Sequence, residues 1–215
     1  MRDGVFWLSY GGDPAKAVET IAPVQDYLQV PVGVHFYNWH QIPFDNDYPH
    51  FLPPRDGSDE AAKALNARGV LTMPYTNGRL WDTRDKGVED WQFTTKALPA
   101  ATKRADGSPH VEQYNSKESD DSPVRLAVMC PTTALWQDTM IDLAKDLVAS
   151  HGVGGVYFDQ IGAAPPPLCM DASHGHPVGG GRRTVPPDGR CSWTSAILRG
   201  AHPRSPPESA PVRCA

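Results

Sequence analysis

Five short apolar runs alternate with amphipathic segments of helical period, and this alternation limits the folds open to the chain. The runs occupy residues 5–10, 32–37, 70–75, 124–129 and 155–158. Strands that alternate with helices form parallel βαβ units, and strands covered on both faces are short and almost wholly apolar. The pattern therefore predicts an α/β protein with about five parallel strands.

Two architectures fit such a pattern, a partial (β/α)8 barrel of TIM type and an open doubly wound parallel sheet. A complete barrel takes about 250 residues, and this chain has 215. A doubly wound sheet usually carries a Gly-rich phosphate loop after its first strand, and Gly11-Gly12 is too short for that fingerprint. A barrel that stops before it can close is the leading prediction, and the open sheet is the alternative.

Helical segments are predicted between the apolar runs. The clearest covers 133–150, and a second begins at Ser58 or Asp59 and ends near Gly69. Another starts at Asp13-Pro14, a capping residue followed by proline, although Pro23 argues against an uninterrupted helix.

Two segments depart from the strand–helix alternation. Residues 77–123 are polar and predict a long functional loop with one possible helix around 90–101. Residues 182–215 hold six Pro and six Arg and carry a net charge of +4, against −9 for the body before them. The predicted division is a partial barrel over 1–181 and a Pro- and Arg-rich tail over 182–215 that is disordered or translated out of frame.

Residues that suit sugar binding follow the apolar runs directly. In parallel barrels the chemistry gathers at the carboxyl ends of the strands. Aromatic rings stack on the C–H faces of sugars, and amides and charged groups bind the hydroxyls. The candidates of this kind are Tyr37, Trp39, His40, Asn77, Arg79, Trp81 and Gln160. For each single aromatic residue, core packing is the competing interpretation.

Asp159 is the leading catalytic candidate because it follows the run 155–158 without a gap. A glycosidase needs two carboxyl groups flanking the scissile bond. Asp159 can supply one of them, as nucleophile or as a substrate-binding carboxylate. The competing interpretation is an aspartate that caps the next turn.

The segment 155–162, Gly-Val-Tyr-Phe-Asp-Gln-Ile-Gly, resembles the strand-end motif of the α-galactosidase and α-glucosidase superfamily, whose nucleophile is that Asp. The runs 35–40 and 169–177, with the triple glycine at 179–181, are similar to an uncharacterised bacterial family of glycoside-hydrolase-like barrels. The resemblance covers about residues 5–181 and implies hydrolysis of glycosidic bonds.

The same resemblance predicts an incomplete enzyme. The superfamily carries its general acid on a later strand, for which this sequence has no matching segment. Family members continue after the triple glycine, where this chain becomes rich in Arg and Pro. The expectation is a truncated or frameshifted barrel that is inactive as it stands.

A loop after three consecutive prolines carries side chains of metal-ligand type, namely Cys169, Asp171, His174 and His176. They support a second hypothesis, a metal-dependent hydrolase on the same barrel. Because the loop does not end a strand, His174 and His176 are assigned instead to substrate or backbone hydrogen bonding. A third hypothesis is a non-catalytic carbohydrate-binding remnant. Cys130 lies in an apolar run and is predicted to be a reduced core thiol.

Charge and hydropathy limit the classes of partner that the chain is expected to bind. The acidic body argues against nucleic acid, and no run of about 18 apolar residues is present to span a membrane. Carbohydrate is the expected partner, with no cofactor and no metal, and the oligomeric state stays open. Glu118, Asp120 and Asp121 are expected to form a solvated loop. Asp45 and Asp47 are expected to be hydrated, with binding of sugar hydroxyls or Ca²⁺ as the alternative.

Overall fold

A computed structural model describes residues 4–85, 92–161 and 163–180, so the predicted tail over 182–215 lies outside the described residues. In chain order the elements are β1 (Phe6–Tyr10), α1 (Ala17–Leu28), β2 (Val32–Phe36), α2 (Ser58–Ala67), β3 (Leu71–Asn77), β4 (Leu80–Asp82), β5 (Val111–Lys117), β6 (Pro123–Val128), α3 (Ala134–Ser150) and β7 (Tyr157–Asp159).

Four strands form a parallel sheet in the order β1-β2-β3-β7. The register pairs Phe6 with Val32 at the start of β1 and Tyr10 with Phe36 at its end. β2 then pairs with β3 from Gly33 opposite Leu71 onward. Helices connect the successive strands, as parallel pairing requires. The predicted mixed α/β fold with a parallel sheet is confirmed.

The assignment of 124–129 as a fourth parallel strand is wrong. This segment forms β6, the central strand of an antiparallel sheet with the order β4-β6-β5. Pro123 and Arg125 are exposed while Val124 and Leu126 are buried, which is the alternation of a strand with one solvated face. In the described part of the chain, β7 is therefore the fourth strand of the parallel sheet, and Asp159 ends the fourth strand instead of the fifth.

The polar segment 77–123 is not a structureless loop. It contributes β4 and β5 to the antiparallel sheet, together with a π-helical turn at Phe93–Ala97 and a 3-10 turn at Leu98–Ala100. These turns replace the predicted helix around 90–101, of which residues 90 and 91 lie outside the described ranges. β5 is polar because every second side chain along most of the strand is exposed, and a search for apolar runs therefore misses it.

The helices α2 and α3 confirm two of the predicted helices. α1 differs from its prediction because it continues through Pro23. Pro23 lies on the exposed side of the helix, where water can bind the carbonyl group that loses its partner. Asp13 caps the preceding 3-10 turn by accepting a hydrogen bond from the Ala15 amide, 3.1 Å away. No helix in the described ranges combines the length and the apolar character that crossing a membrane requires.

The chain divides into two compact units. Within the described ranges, the first consists of 4–42, 51–76 and 144–158, and the second of 43–50, 77–85, 92–143, 159–161 and 163–180. The fully buried side chains of the first unit include Val34, Phe36, Leu65 and Leu147. Those of the second include Leu126, Met140, Trp81 and Trp136, and the last two place their rings 6.3 Å apart. Full burial of such a side chain contributes about 1.5–3 kcal/mol.

Candidate active site

Tyr37, Trp39 and His40 follow β2 and belong to the first unit. The Trp39 indole is 3% exposed, stacks on Phe51 and donates a hydrogen bond to the Tyr75 carbonyl oxygen at 2.7 Å. Tyr37 is partly exposed and stacks on Tyr75 with ring centroids 5.1 Å apart. Of the three, Tyr37 has a ring that a sugar could reach, whereas the contacts of Trp39 favour the packing interpretation.

His40 is a buried histidine with one satisfied ring nitrogen. Its Nδ1 lies 2.8 Å from the Ile42 carbonyl oxygen, an arrangement that requires the proton on Nδ1. Its Nε2 has no hydrogen-bond partner in the described residues. Burial lowers the pKa of His40 to about 4, and the charge of Arg55 adds to this effect against the opposing hydrogen bond to Ile42.

We expect the protein to lose stability as the pH falls from about 6.5 to about 4. In this window the unfolded chain binds the His40 proton and the folded chain does not, so the free energy of unfolding rises with pH. The full shift corresponds to about 3 kcal/mol. Urea denaturation at pH 7 and pH 4.5 should show a smaller loss in His40→Gln than in the wild type. Equal losses in the two proteins would contradict this assignment.

Asp159 and Gln160 form the turn that ends β7. The Gly78 amide donates to the Asp159 carbonyl oxygen at 3.1 Å, and Gln160 adopts a left-handed backbone with φ of 62°. The Asn77 side chain shapes the facing turn by accepting hydrogen bonds from the amides of Arg79 and Leu80 at 2.9 and 3.1 Å. Four predicted residues, Asn77, Arg79, Asp159 and Gln160, therefore meet in the second unit.

Arg79 ties this turn to the antiparallel sheet. Its guanidinium donates to Gln160 Oε1 at 3.0 Å and grips both carboxylate oxygens of Glu112, one of them at 2.9 Å. The Tyr114 hydroxyl donates to Glu112 at 3.1 Å and accepts from Gln160 Nε2 at 3.2 Å. Burial opposes ionisation of Glu112, but the hydrogen bonds and charge of Arg79 outweigh it and lower the pKa of Glu112. The network fixes the orientation of the Gln160 amide beside Asp159.

Sequence reasoning missed Glu112 and Tyr114. Both lie on β5 two residues apart, so they share one face of the strand. The alternation of partly buried and exposed residues along 111–117 is the signal that could have identified this strand.

Asp45 is a second carboxyl group linked to Asp159. It is half-buried, which corrects the expectation of a hydrated residue. Burial raises the pKa of Asp45, a hydrogen bond with the Tyr48 hydroxyl opposes this, and the charge of Asp159 raises it further. The charge of Asp159 therefore acts on the Asp45 carboxyl group.

Asp47 and Glu118 were also expected to be hydrated, and they belong instead to an ion network around Arg84. The Arg84 guanidinium contacts Asp47, reaches Glu118 at 2.8 Å and lies 3.4 Å from Asp82. Asp82 is fully buried, and Arg84 and Glu118 expose 11% and 8% of their side chains. The positive charge of the arginine offsets part of the repulsion among three acids.

Trp81 does not present a face for stacking. It is 1% exposed, and its ring meets His50 edge-on at 5.4 Å and lies against Trp136. Lys96 places its Nζ 5.8 Å from the ring centroid. These contacts favour core packing over the predicted sugar contact.

His174 and His176 lie away from the Arg79 network and pair with cysteines. Cys130 Sγ is 3.4 Å from His176 Nε2, and Cys169 Sγ is 3.4 Å from His174 Nδ1. Cys130 is buried and unpaired by disulfide, which confirms the predicted reduced core thiol, and Cys169 is in the same state. Asp171 instead caps the 3-10 turn Ala172–His174, accepting from the Ser173 amide at 2.9 Å.

Two curated relatives share about a third of their aligned residues with this chain. A Bacteroides thetaiotaomicron protein named "Putative glycoside hydrolase" is 34% identical over 181 residues, covering 84% of this chain and 26% of the relative. A Monosiga brevicollis protein of similar name is 31% identical over 184 residues, covering 79% and 15%. The chain thus spans about a quarter or less of the length of these relatives.

Solved structures share the fold. The α-N-acetylgalactosaminidase of Bifidobacterium bifidum in complex with GalNAc aligns with a TM-score of 0.60 and 16% identity, over 90% of this chain and 32% of the enzyme. The cycloalternan-degrading enzyme of Trueperella pyogenes in complex with a covalent intermediate aligns with a TM-score of 0.57 and 16% identity, over 92% and 29%.

The names of these relatives and structural neighbours support a glycoside-hydrolase-like family. Residues 1–183 match a family that is described as a domain of unknown function, DUF6259. The match covers more than four-fifths of the sequence, and the chain belongs to the DUF6259 family.

Proposed function

We propose that this chain is the nucleophile-bearing part of a glycoside hydrolase barrel, with Asp159 as the nucleophile or as a substrate-binding carboxylate. The observation that carries the proposal is the position of Asp159 at the carboxyl end of a parallel strand, next to a Gln160 whose amide is held by Arg79 and Tyr114. Parallel barrels carry their chemistry at this end of the strands. The glycoside hydrolases among the structural neighbours support the same interpretation.

The proposed sugar site uses groups of the second unit. Asp159 and the Gln160 amide offer hydrogen bonds to sugar hydroxyls. The Asn77 amide nitrogen is buried with no hydrogen-bond partner in the described ranges, and its contact with a sugar stays a prediction. Asp45 adds a second carboxyl group, whose pKa is raised by burial and by the charge of Asp159. Tyr37, Trp39 and His40 belong to the first unit, and their role stays a prediction.

The mechanism that we propose requires two carboxyl groups, a nucleophile and a general acid. In a retaining glycosidase one carboxylate attacks the anomeric carbon, and an acid about 5–5.5 Å away protonates the leaving oxygen. Asp159 would be the attacking group. That the 215-residue chain binds carbohydrate without hydrolysing it stays a prediction.

The metal-dependent hydrolase is the weaker hypothesis. Its proposed ligand Asp171 serves as a helix cap, and His174 and His176 face two cysteines. Four protein groups gathered in this way leave no open position for a reacting water. The non-catalytic carbohydrate-binding remnant differs from the leading proposal only in whether a longer relative hydrolyses the sugar that it binds.

Gln160→Gly is the test of the site in this chain. Glycine accepts the left-handed backbone at φ of 62°, so the fold should be retained while the amide is lost. We expect binding of monosaccharides, measured by saturation-transfer NMR over a panel, to weaken about tenfold, the equivalent of one hydrogen bond. Gln92→Gly removes another glutamine at positive φ (54°) and should leave binding unchanged. If no sugar in the panel binds the wild type, or if both variants bind alike, the proposed site is wrong.

A further inference from the structure

Two cysteines and two histidines of the second unit converge on one point. Cys130 follows β6, and Cys169, His174 and His176 come from the loop that ends the described chain. One ligand atom from each residue lies within 4.8 Å of all the others. Cys130, Cys169 and His174 are buried, and His176 is half-buried.

The distances in this cluster suit a tetrahedral cation. Zinc bonds of about 2.0–2.3 Å to nitrogen and sulfur place tetrahedral ligand atoms about 3.3–3.8 Å apart. The two sulfur–nitrogen pairs, Cys130 with His176 and Cys169 with His174, are each separated by 3.4 Å. These two separations are thus close to those of a filled site before any metal is added, and the remaining pairs lie within 4.8 Å.

The outer nitrogens of both imidazoles are already held in the way that metal ligands require. His174 Nε2 lies 2.8 Å from the Pro99 carbonyl oxygen, and His176 Nδ1 lies 2.8 Å from the Pro177 carbonyl oxygen. A carbonyl partner places the proton on the outer nitrogen, so the lone pairs of His174 Nδ1 and His176 Nε2 face the sulfurs. Metal-binding histidines characteristically donate their second N–H to such an acceptor.

The sulfurs have supporting contacts of the same kind. The Lys103 amide points at Cys169 Sγ at 3.5 Å, and the Thr132 hydroxyl lies 3.2 Å from Cys130 Sγ. The loop backbone is tied down on both sides, because Cys169 pairs with Gly180 and the Met170 amide donates to the Lys103 carbonyl oxygen. Gly175, with φ of 79°, allows the chain to reverse between His174 and His176.

We propose that Cys130, Cys169, His174 and His176 form a structural zinc site that fastens the loop 169–180 to the end of β6. A soft S2N2 ligand set in tetrahedral arrangement selects zinc over the oxygen-preferring cations. The set is closed, so the ion stabilises the fold and does not activate water. This site is separate from the proposed glycosidase function and neither requires it nor supports it.

The experiment measures metal in the full 215-residue chain. Protein purified under reducing conditions and reconstituted with zinc should hold one zinc per chain by mass spectrometry. Replacement by Co²⁺ should give the intense visible bands of a tetrahedral ion and a thiolate charge-transfer band. Both measurements use the wild type, so they decide the proposal even where a variant fails to fold.

Variants identify the ligands. Cys169→Ser and His176→Gln should each weaken zinc binding by at least about 100-fold, the upper end of what loss of a mere supporting contact costs. Asp171→Asn should keep the metal, because Asp171 caps the turn. Cys191→Ser combined with Cys214→Ser should keep it too, which excludes binding by the other two cysteines of the sequence.

The alternative is a pair of thiol–imidazole hydrogen bonds with no metal. A wild-type protein that holds no zinc after reconstitution, or whose Cys130 and Cys169 are joined as a disulfide under the same reducing conditions, would overturn the proposal. Retention of zinc in both Cys169→Ser and His176→Gln would overturn it as well. None of these outcomes bears on sugar binding, so the two proposals fail independently.

Discussion

Asp159→Asn is expected to remove glycoside hydrolysis from a longer relative that carries the same Asp-Gln pair, while leaving its fold intact. Asparagine keeps the size of the side chain, and the strand-end hydrogen bond from Gly78 reaches the backbone carbonyl group, not the carboxylate. A neutral amide cannot attack the anomeric carbon or stabilise positive charge there. The expected loss in kcat/KM on aryl glycosides is about 10²-fold or more, the scale of a positioned catalytic group.

Two companion variants separate the possible roles of Asp159. Asp159→Gly with added azide should recover turnover if the lost group is the nucleophile, because azide can occupy the vacated space and attack in its place. If Asp159 only binds substrate, its removal would raise KM, and azide would not restore turnover. Asp45→Asn, in a relative that also carries Asp45, removes a second carboxyl group and should lower the limiting rate less than Asp159→Asn does. Full activity of Asp159→Asn with an unchanged melting temperature would reduce Asp159 to a turn residue.

The parallel sheet could be predicted because its strands are apolar on both faces. β1, β2, β3 and β7 all lie within or beside the predicted runs, and α2 and α3 have clear apolar faces. β6 was misplaced for a physical reason. A short apolar run reports burial, and burial alone does not distinguish a strand with parallel neighbours from the centre of an antiparallel sheet. Its partner β5 is polar, so the pairing leaves no apolar pattern to detect.

Some residues of the candidate site could also be predicted from the sequence, and others could not. Asn77, Arg79, Asp159 and Gln160 could be named from sequence because each ends or follows a strand, and parallel strands bring their carboxyl ends to one edge. Glu112 joins this group from a distant segment through its contact with Arg79, and only tertiary structure shows that it does.

Burial was also invisible in the sequence. Trp81 and Trp39 carry the residue type expected of a sugar platform, yet both are packed inside their units. The close spacing of metal-ligand residues also misidentified Asp171 as a ligand. The fourth residue of that cluster is Cys130, which lies 39 residues before Cys169.

Arg84→Met is expected to lower the free energy of unfolding by about 3–5 kcal/mol, the cost of removing one partner from a buried ion pair. Stability is lost because three acidic side chains remain close together without the arginine. Asp47, Asp82 and Glu118 lie with their carboxylate oxygens within 4.8 Å of one another, and the arginine supplies the positive charge between them. The methionine fills similar space, so the effect reports lost charge more than a cavity.

Arg68→Met is the matched control for this substitution. Arg68 pairs with Asp26 at 2.7 Å, but the two side chains are 39% and 68% exposed. Water screens such a pair, and its removal typically costs 0–1 kcal/mol, that is, roughly 1 kcal/mol at most. Urea denaturation of the two variants beside the wild type gives both values under one set of conditions. If Arg84→Met unfolds within about 1 kcal/mol of Arg68→Met, the three acids tolerate one another without the arginine, and the network is a surface feature like any other exposed ion pair.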